Sequence, residues 1–227
     1  MLFLQRLREL EATLTTDSYL VLVTCDLDDE SMTSEIIRTA ASHRNVLVDR
    51  NESESKVHAI NRGMDLAGDF DILLCMSDDM HPVAMAWNEI LDKRVTETWG
   101  ESLDWFAHFS DGFTDLSTMS IMGRTYFERT GTIYDPSYRS ESCDAEAMYV
   151  AMMLGRYARF DEVLFRHEHP KNGFHGLSDA TYLRNARHGT EDAQIYFTRM
   201  QTYFGVSEEE RVQPLPLNPV DYLEWIK

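Results

Sequence analysis

The sequence contains few cysteines. The three that are present, Cys25, Cys75 and Cys143, stand apart from one another, and two of them lie inside apolar runs. They form neither the close pair typical of a metal site nor the even number that a disulfide framework requires. We therefore expect buried, reduced cysteines and take the cytoplasm as the default compartment.

Long apolar segments are also missing. The runs Tyr19–Cys25 and Ile72–Met76 are far shorter than the roughly 20 residues that cross a bilayer. The first ten residues carry Arg6, Arg8 and Glu9 among apolar side chains and contain no small-residue cleavage site, which favours an amphipathic helix over a signal peptide. The sequence predicts a soluble protein without a membrane span.

Basic residues are scarce relative to acidic ones. Lys and Arg number 21 against 39 Asp and Glu, which gives a formal net charge of −18 with neutral histidines. The field of such a protein repels phosphate backbones and anionic lipid surfaces and attracts divalent cations. Non-specific binding of nucleic acid or of a membrane surface is therefore disfavoured.

The first half of the chain alternates helical and strand-like segments. Apolar residues recur at helical spacing in Leu2–Leu14 and Lys56–Ala67, while Tyr19–Cys25 and Phe70–Met76 are apolar runs typical of buried strands. Strands that alternate with helices indicate βαβ units. The sequence predicts an α/β fold, with a mostly parallel sheet flanked by helices in a single domain.

Two adjacent carboxylates, Asp78 and Asp79, follow the predicted strand Phe70–Met76 directly. In an open α/β sheet, ligands bind beyond the carboxyl ends of the strands, and two carboxylates there suit Mg²⁺ or Mn²⁺. Taken alone, such a pair more often caps a helix or solvates a turn. A metal and phosphate site here therefore needs support from other residues.

Three further segments could complete such a site. His167 and His169 occupy alternate positions of an extended segment, so their side chains point the same way and either imidazole could bind a cation. A surface turn before Pro170 is an equal alternative. Asp144 opens a predicted helix, where it serves either as a general base or only the helix dipole. Lys56 precedes a helix start and either holds a diphosphate or is simply solvated.

Five motifs occur in order along the chain. They are Lys56-Val-His-Ala-Ile-Asn61, Asp71-Ile-Leu-Leu-Cys-Met-Ser-Asp-Asp79, Ile133-Tyr-Asp-Pro-Ser-Tyr138, Cys143-Asp-Ala-Glu146 and His167-Glu-His-Pro170. Together they resemble the nucleotide-sugar-dependent glycosyltransferases of family 2, in a compact version found in bacteria and their phages. The resemblance runs from about residue 3 to about residue 204.

The resemblance implies a GT-A-like domain with a Rossmann-type sheet over residues 1–210. Its nucleotide-binding half covers about 1–80, its acceptor and metal half about 81–210, and a proline-containing tail follows at 211–227. Family members open with a strand ahead of the first helix, whereas helical spacing here begins at residue 2. Either that strand is missing from the sequence, or another segment fills its place in the sheet.

The resemblance also implies roles for individual residues. Asp79 would bind the Mn²⁺ or Mg²⁺ ion that bridges the donor's phosphates, and Asp78 would contact ribose, sugar or metal. His167 or His169 would complete the metal shell, and Asp144 would be the catalytic base. Further donor contacts would come from Asp26 at the base and from Lys56 and Asn61 near the diphosphate. Three residues depart from the family pattern: Ser77 stands in place of an Asp, Cys143 in place of a Glu and Val150 in place of an Arg.

These roles imply an inverting, metal-dependent glycosyltransferase. The expected donor is a nucleoside-diphosphate sugar, a UDP-sugar in the first instance, and neither the acceptor nor the oligomeric state follows from the sequence. Trp105, Phe109 and the turn Asp111–Phe113 are candidates for stacking on sugar rings, although aromatic residues in such a pattern more often pack in the core. Two alternatives stay open: a metal-dependent phosphoesterase or nucleotidyltransferase using the same cluster, and an inactive, glycosyltransferase-like binding protein.

Overall fold

The computed structural model describes residues 2–174, 183–184 and 186–215 of the chain. Within these residues, no helix is long and apolar enough to cross a membrane. The helices are α1 (Leu2–Thr13), α2 (Ser34–Ala41), α3 (Lys56–Gly63), α4 (Trp87–Trp99), α5 (Arg124–Phe127), α6 (Cys143–Met153) and α7 (Gly189–Met200). The strands are β1 (Val21–Asp26), β2 (Val46–Asn51), β3 (Ile72–Leu74), β4 (Met80–Pro82), β5 (Phe106–Ser110), β6 (Ile121–Gly123), β7 (Tyr157–Val163) and β8 (Phe165–His167).

The chain begins with a βαβ unit. Strands β1 and β2 pair in parallel, and α2 connects them. Thr33 caps α2 through a hydrogen bond from the Ile36 N–H, and Ser55 caps α3 in the same way. Helix α3 contacts β1 and leads from β2 to β3. The predicted alternation of strands and helices is therefore present in this half.

A second sheet has the strand order β3-β6-β5-β7. Strand β6 is antiparallel to both β3 and β5, while β5 and β7 are parallel. Helix α6 contacts β5 and β7. Parallel strand pairs flanked by helices confirm the predicted α/β fold class. Within this sheet, the antiparallel strand β6 lies between β3 and β5.

No strand of the described residues pairs with both β1 and β3, so the two sheets are not joined by hydrogen bonds. Among these residues, β1 pairs only with β2, and β3 pairs only with β6. Helix α1 packs against both sheets: Leu4 and Leu7 are buried in a cluster with Val46, whereas Leu10 belongs to the cluster that Leu74 packs against. Side-chain packing of α1, and not a shared strand, therefore joins the two sheets.

Strands β4 and β8 form a separate antiparallel ribbon. Met80 lies opposite His167, and the Glu168 N–H donates to the carbonyl of Asp79 over 2.9 Å. The buried Arg6 of α1 forms an ion pair with Glu168. The ribbon is thus tied to α1 and brings two distant segments of the chain side by side.

The aromatic residues of the second half divide between core and surface. Trp105 and Phe109 are 1% and 3% exposed and pack in the core, so the expectation that they stack on sugars is wrong. Phe113 is 45% exposed. Residues 211–215 form no helix or strand, and the predicted tail's Pro216 and Pro219 lie outside the described residues.

Candidate active site

The side chains of Asp79 and His167 meet at the β4/β8 ribbon. The Oδ2 atom of Asp79 lies 3.3 Å from Nε2 of His167, and the Ser77 hydroxyl donates a hydrogen bond to the other carboxylate oxygen of Asp79. The ribbon creates this contact because it pairs Met80, the residue after Asp79, with His167. Two residues predicted as metal ligands are therefore adjacent in space.

Asp111 lies on the other side of the His167 ring. Its Oδ2 is 3.8 Å from Nδ1 of His167. Burial disfavours charge on the ring, but the neighbouring carboxylates of Asp111 and Asp79 outweigh it and raise the pKa of His167 to about 9. Burial would raise the pKa of Asp79, but His167 and Ser77 outweigh it and lower that pKa to about 2. The Asp79–His167 contact is therefore an ion pair at neutral pH.

This pair is chemically suited to a divalent cation. A carboxylate oxygen and a neutral imidazole nitrogen both bind Mn²⁺, so a bound cation would displace the proton that His167 carries in the ion pair. The Asp111 carboxylate beside the second nitrogen is an arrangement that orients metal-bound histidines. The described residues contain no group of three or more His, Cys, Asp or Glu placed for a metal. The protein would thus supply two ligands, and phosphate or water the rest, as is common for Mg²⁺ with nucleotides. The His169 ring centroid lies 5.1 Å from that of His167, beside the pair.

Lys56 and Asp144 bring opposite charges to this cluster from two helix starts. Lys56 is the first residue of α3, and Asp144 is the second of α6. Burial raises the pKa of Asp144, and the charges of Lys56 and His167 oppose that rise only in part. Lys56 is exposed, and although the protein around it partly desolvates the amine, nearby groups that include Cys143, Asp144 and Asp79 outweigh this and raise its pKa. The four predicted residues therefore lie within electrostatic range of one another.

A buried aspartate on α7 fixes the loop that precedes α6 and contacts the start of α3. Asp192 is 0% exposed, and its carboxylate accepts hydrogen bonds from the backbone N–H groups of residues 139–141. The Arg139 carbonyl in turn accepts from the Val57 N–H of α3 over 3.0 Å, and α6 begins at Cys143. Asp192, which no sequence pattern predicts, thus holds the starts of α3 and α6 in place.

Glu146, the second acid of the Asp144 motif, has a structural partner. Its carboxylate accepts two hydrogen bonds from Arg199, at 2.7 and 2.8 Å, and a third from the Tyr138 hydroxyl at 2.7 Å. Arg199 also pairs with Asp135 at 2.6 Å. Glu146 therefore ties α6 to α7, and Asp144 is the acid of this turn that interacts with Lys56.

Asp26 ends β1 with one carboxylate oxygen available. Its Oδ2 pairs with Arg184 at 3.1 Å, and Arg184 also pairs with Asp28 at 2.8 Å. The Oδ1 atom of Asp26 is buried and has no hydrogen-bond partner among the described residues. A buried acceptor without a donor is costly, so this oxygen is suited to an N–H group of a ligand. Sequence reasoning missed Arg184, because nothing in the pattern links it to β1.

Asn61 and Asp78 are placed differently from the charged cluster. The Asn61 side-chain oxygen accepts from the backbone N–H groups of Ile133 and Tyr134, and its amide nitrogen donates to the Tyr134 carbonyl at 2.8 Å. These bonds hold the segment around Tyr134, so the structure gives Asn61 a supporting role, and its donor contact stays a prediction. Asp78 is exposed beside Asp79, and its donor contact is likewise a prediction.

The fold is similar to that of a mannosyltransferase from Pyrobaculum calidifontis, solved in complex with GDP-Man and Mn²⁺. The TM-score is 0.67 at 16% sequence identity over 98% of this chain, which spans 65% of that protein. No family model and no curated protein matches the sequence. The similarity establishes a fold shared with a glycosyltransferase, and membership of family 2 stays a prediction.

Proposed function

We propose that this protein is a metal-dependent glycosyltransferase. It moves a sugar from a nucleoside-diphosphate sugar to an acceptor hydroxyl, with inversion at the anomeric carbon. The observation that carries the proposal is the convergence of Asp79, His167, Lys56 and Asp144 in a fold shared with a mannosyltransferase. This set combines two metal ligands, a fixed positive charge and a carboxylate of raised pKa, which are the groups that such a transfer requires.

The donor's diphosphate binds between Lys56 and the Asp79–His167 pair. A Mn²⁺ or Mg²⁺ ion held by Asp79 and His167 would supply positive charge that stabilises the leaving nucleoside diphosphate. Lys56 adds a second positive charge from the first turn of α3. Asp26 accepts an N–H of the nucleotide base through its free Oδ1, and Asp78 contacts the ribose or sugar.

Asp144 takes the proton of the acceptor hydroxyl. As the bond between the acceptor oxygen and the anomeric carbon forms, the bond from that carbon to the donor's phosphate oxygen breaks. The acceptor proton passes to the Asp144 carboxylate, and the nucleoside diphosphate leaves with the bonding electrons. The raised pKa of Asp144 strengthens it as a base, and one such base fits a single displacement with inversion.

Isothermal titration calorimetry tests the donor and metal parts of the proposal. UDP and GDP are titrated with and without Mn²⁺ into the wild type, Asp79→Asn, His167→Gln and His169→Gln. We expect metal-dependent nucleotide binding that is lost in Asp79→Asn and weakened in His167→Gln. His169→Gln tests the neighbouring imidazole, and a larger loss there than in His167→Gln would assign the second ligand to His169. Binding of metal alone would favour the phosphoesterase alternative, and binding of neither would favour an inactive binding protein.

The base is tested by Asp144→Asn, with the exposed Asp92→Asn of α4 as the matched control. Loss of a general base slows transfer about a hundredfold or more. Nucleotide affinity should stay within a factor of two, because Asp144 is not a phosphate ligand. A screen of donor hydrolysis over UDP- and GDP-sugars first identifies the donor. Normal transfer by Asp144→Asn would show that the base is assigned to the wrong residue.

A further inference from the structure

An open cavity of about 370 Å³ follows the end of β5. Its lining residues are Ser110, Gly112, Phe113, Thr114, Asp115 and Arg159. This volume lies near the lower end of the range for small-molecule sites. None of Asp79, His167, Lys56 and Asp144 lines it, so the cavity is distinct from the place proposed for the donor.

The cavity is nevertheless next to the charged cluster. Asp111 contacts His167 with one carboxylate oxygen, while the other accepts hydrogen bonds from the backbone N–H groups of Phe113 and Thr114, at 2.8 and 2.9 Å. One aspartate therefore fixes both the His167 ring and the turn that forms the cavity wall. Gly112, with a φ of 85°, allows that turn.

The chemistry of the lining combines one aromatic ring with polar groups. Phe113 is 45% exposed and packs edge-on against Phe174, with ring centroids 5.7 Å apart. Arg159 pairs with Asp115 at 2.7 Å, so its charge is already compensated. The fully exposed carboxylate of Asp161 lies 4.0 Å from Arg159 and adds negative charge. The cavity therefore offers a ring to pack against and hydrogen-bonding groups, without net positive charge.

We propose that this cavity is the acceptor subsite and that it binds an uncharged saccharide. The apolar face of a sugar ring packs on Phe113, while the sugar hydroxyls exchange hydrogen bonds with Asp115 and Arg159. A phosphorylated or uronic acid acceptor is disfavoured, because the carboxylates of Asp111, Asp115 and Asp161 outnumber the single arginine. The inference rests on the proposed function, since it assigns the second substrate of the same reaction.

The test uses Phe113→Ala, the ring-preserving Phe113→Trp, and Phe70→Ala as a matched control. Phe70 also forms an edge-on aromatic pair, with Phe127, but does not line the cavity. Transfer is measured at saturating donor to methyl mannoside, methyl glucoside and methyl galactoside, with glucuronic acid and mannose 6-phosphate as charged comparators. Donor hydrolysis without acceptor is measured in parallel. Binding of the same glycosides without donor is followed by saturation-transfer NMR.

We expect Phe113→Ala to raise the acceptor KM about three- to tenfold, as loss of an aromatic packing partner does. Its donor hydrolysis should stay within a factor of two of the wild type. Phe113→Trp and Phe70→Ala should retain the wild-type KM. An unchanged KM for every neutral glycoside in Phe113→Ala, or transfer only to the charged sugars, would overturn the inference and leave the proposed function intact.

A different result would contradict the proposed function. If the wild type neither binds nor hydrolyses any nucleotide sugar, the transferase proposal fails. The NMR experiment then still tests whether the cavity binds a saccharide. Glycoside signals that are lost in Phe113→Ala and kept in Phe70→Ala would support a saccharide site. Absence of such signals in the wild type would overturn it as well.

Discussion

Replacement of Asp192 by asparagine should destabilise the protein measurably. The buried carboxylate accepts backbone hydrogen bonds from Arg139 at 2.9 Å through Oδ1, and from Ser140 and Glu141 at 2.8 and 2.7 Å through Oδ2. Hydrogen bonds to a charged acceptor contribute about 1.5–3 kcal/mol each. Asparagine loses the charge and turns an NH₂ group towards one of these donors. One bond is lost and two are weakened, so we expect a loss of about 2–4 kcal/mol in the free energy of unfolding.

Urea unfolding followed by circular dichroism measures this loss, with Asp92→Asn as a surface control that should stay within about 0.5 kcal/mol of the wild type. The loop held by Asp192 also positions Lys56 and Asp144. Under conditions where the variant is folded, transfer should therefore fall more than nucleotide binding does. An unfolding midpoint of Asp192→Asn equal to that of Asp92→Asn would refute the role assigned to the buried carboxylate.

Two further predictions concern stability. His108 is fully buried, and burial lowers its pKa to about 4, so the unfolded chain gains a proton first and stability falls as pH drops from about 6.5 towards 4. The full loss amounts to about 3 kcal/mol, of which about 2 kcal/mol falls between pH 7 and pH 5. His108→Asn, which keeps a polar partner for Tyr157, should remove this loss of about 2 kcal/mol when unfolding is compared at those two pH values. A Cβ atom on Gly123 would lie 2.2 Å from the Leu103 carbonyl oxygen, so Gly123→Ala should cost about 1–3 kcal/mol. Gly189→Ala, whose Cβ meets only the flexible Glu141 side chain at 3.1 Å, is its control.

The βαβ half of the fold could be predicted because its signals are local. Val21–Asp26 and Val46–Asn51 are strands with apolar runs, and Ser55 and Thr33 cap the helices that follow them. The ribbon of β4 and β8 could not be predicted, because three residues are too few to show a period. Its pairing is a tertiary property of two segments that are far apart in sequence.

The candidate site shows the same division. Asp79 could be nominated from its position after a predicted strand and His167 from its extended segment, but their contact depends on the ribbon register. Asp111, Asp192 and Arg184 act on backbone groups or side chains from remote segments. The sequence around an isolated acid or arginine contains no local pattern that predicts such a remote partner. Sequence reasoning therefore reaches the chemically reactive groups more readily than the groups that position them.

The balance of charge in the cluster makes a cation necessary for donor binding. Among the described residues of the cluster, the carboxylates of Asp79, Asp111 and Asp144 outnumber the positive charges of Lys56 and His167, in a protein of net charge −18.

Without a cation, this field repels a diphosphate, and the repulsion is screened over about 10 Å at 0.1 M salt. Addition of sodium chloride in the presence of EDTA should therefore strengthen the residual binding of UDP or GDP, the reverse of the usual behaviour of an anion on a basic site. With Mn²⁺ present, the same addition should weaken binding, because attraction is then screened. Calorimetry at two salt concentrations measures both slopes. A metal-free affinity that falls as salt rises would show that the diphosphate meets a basic surface, and that the acidic cluster is not where it binds.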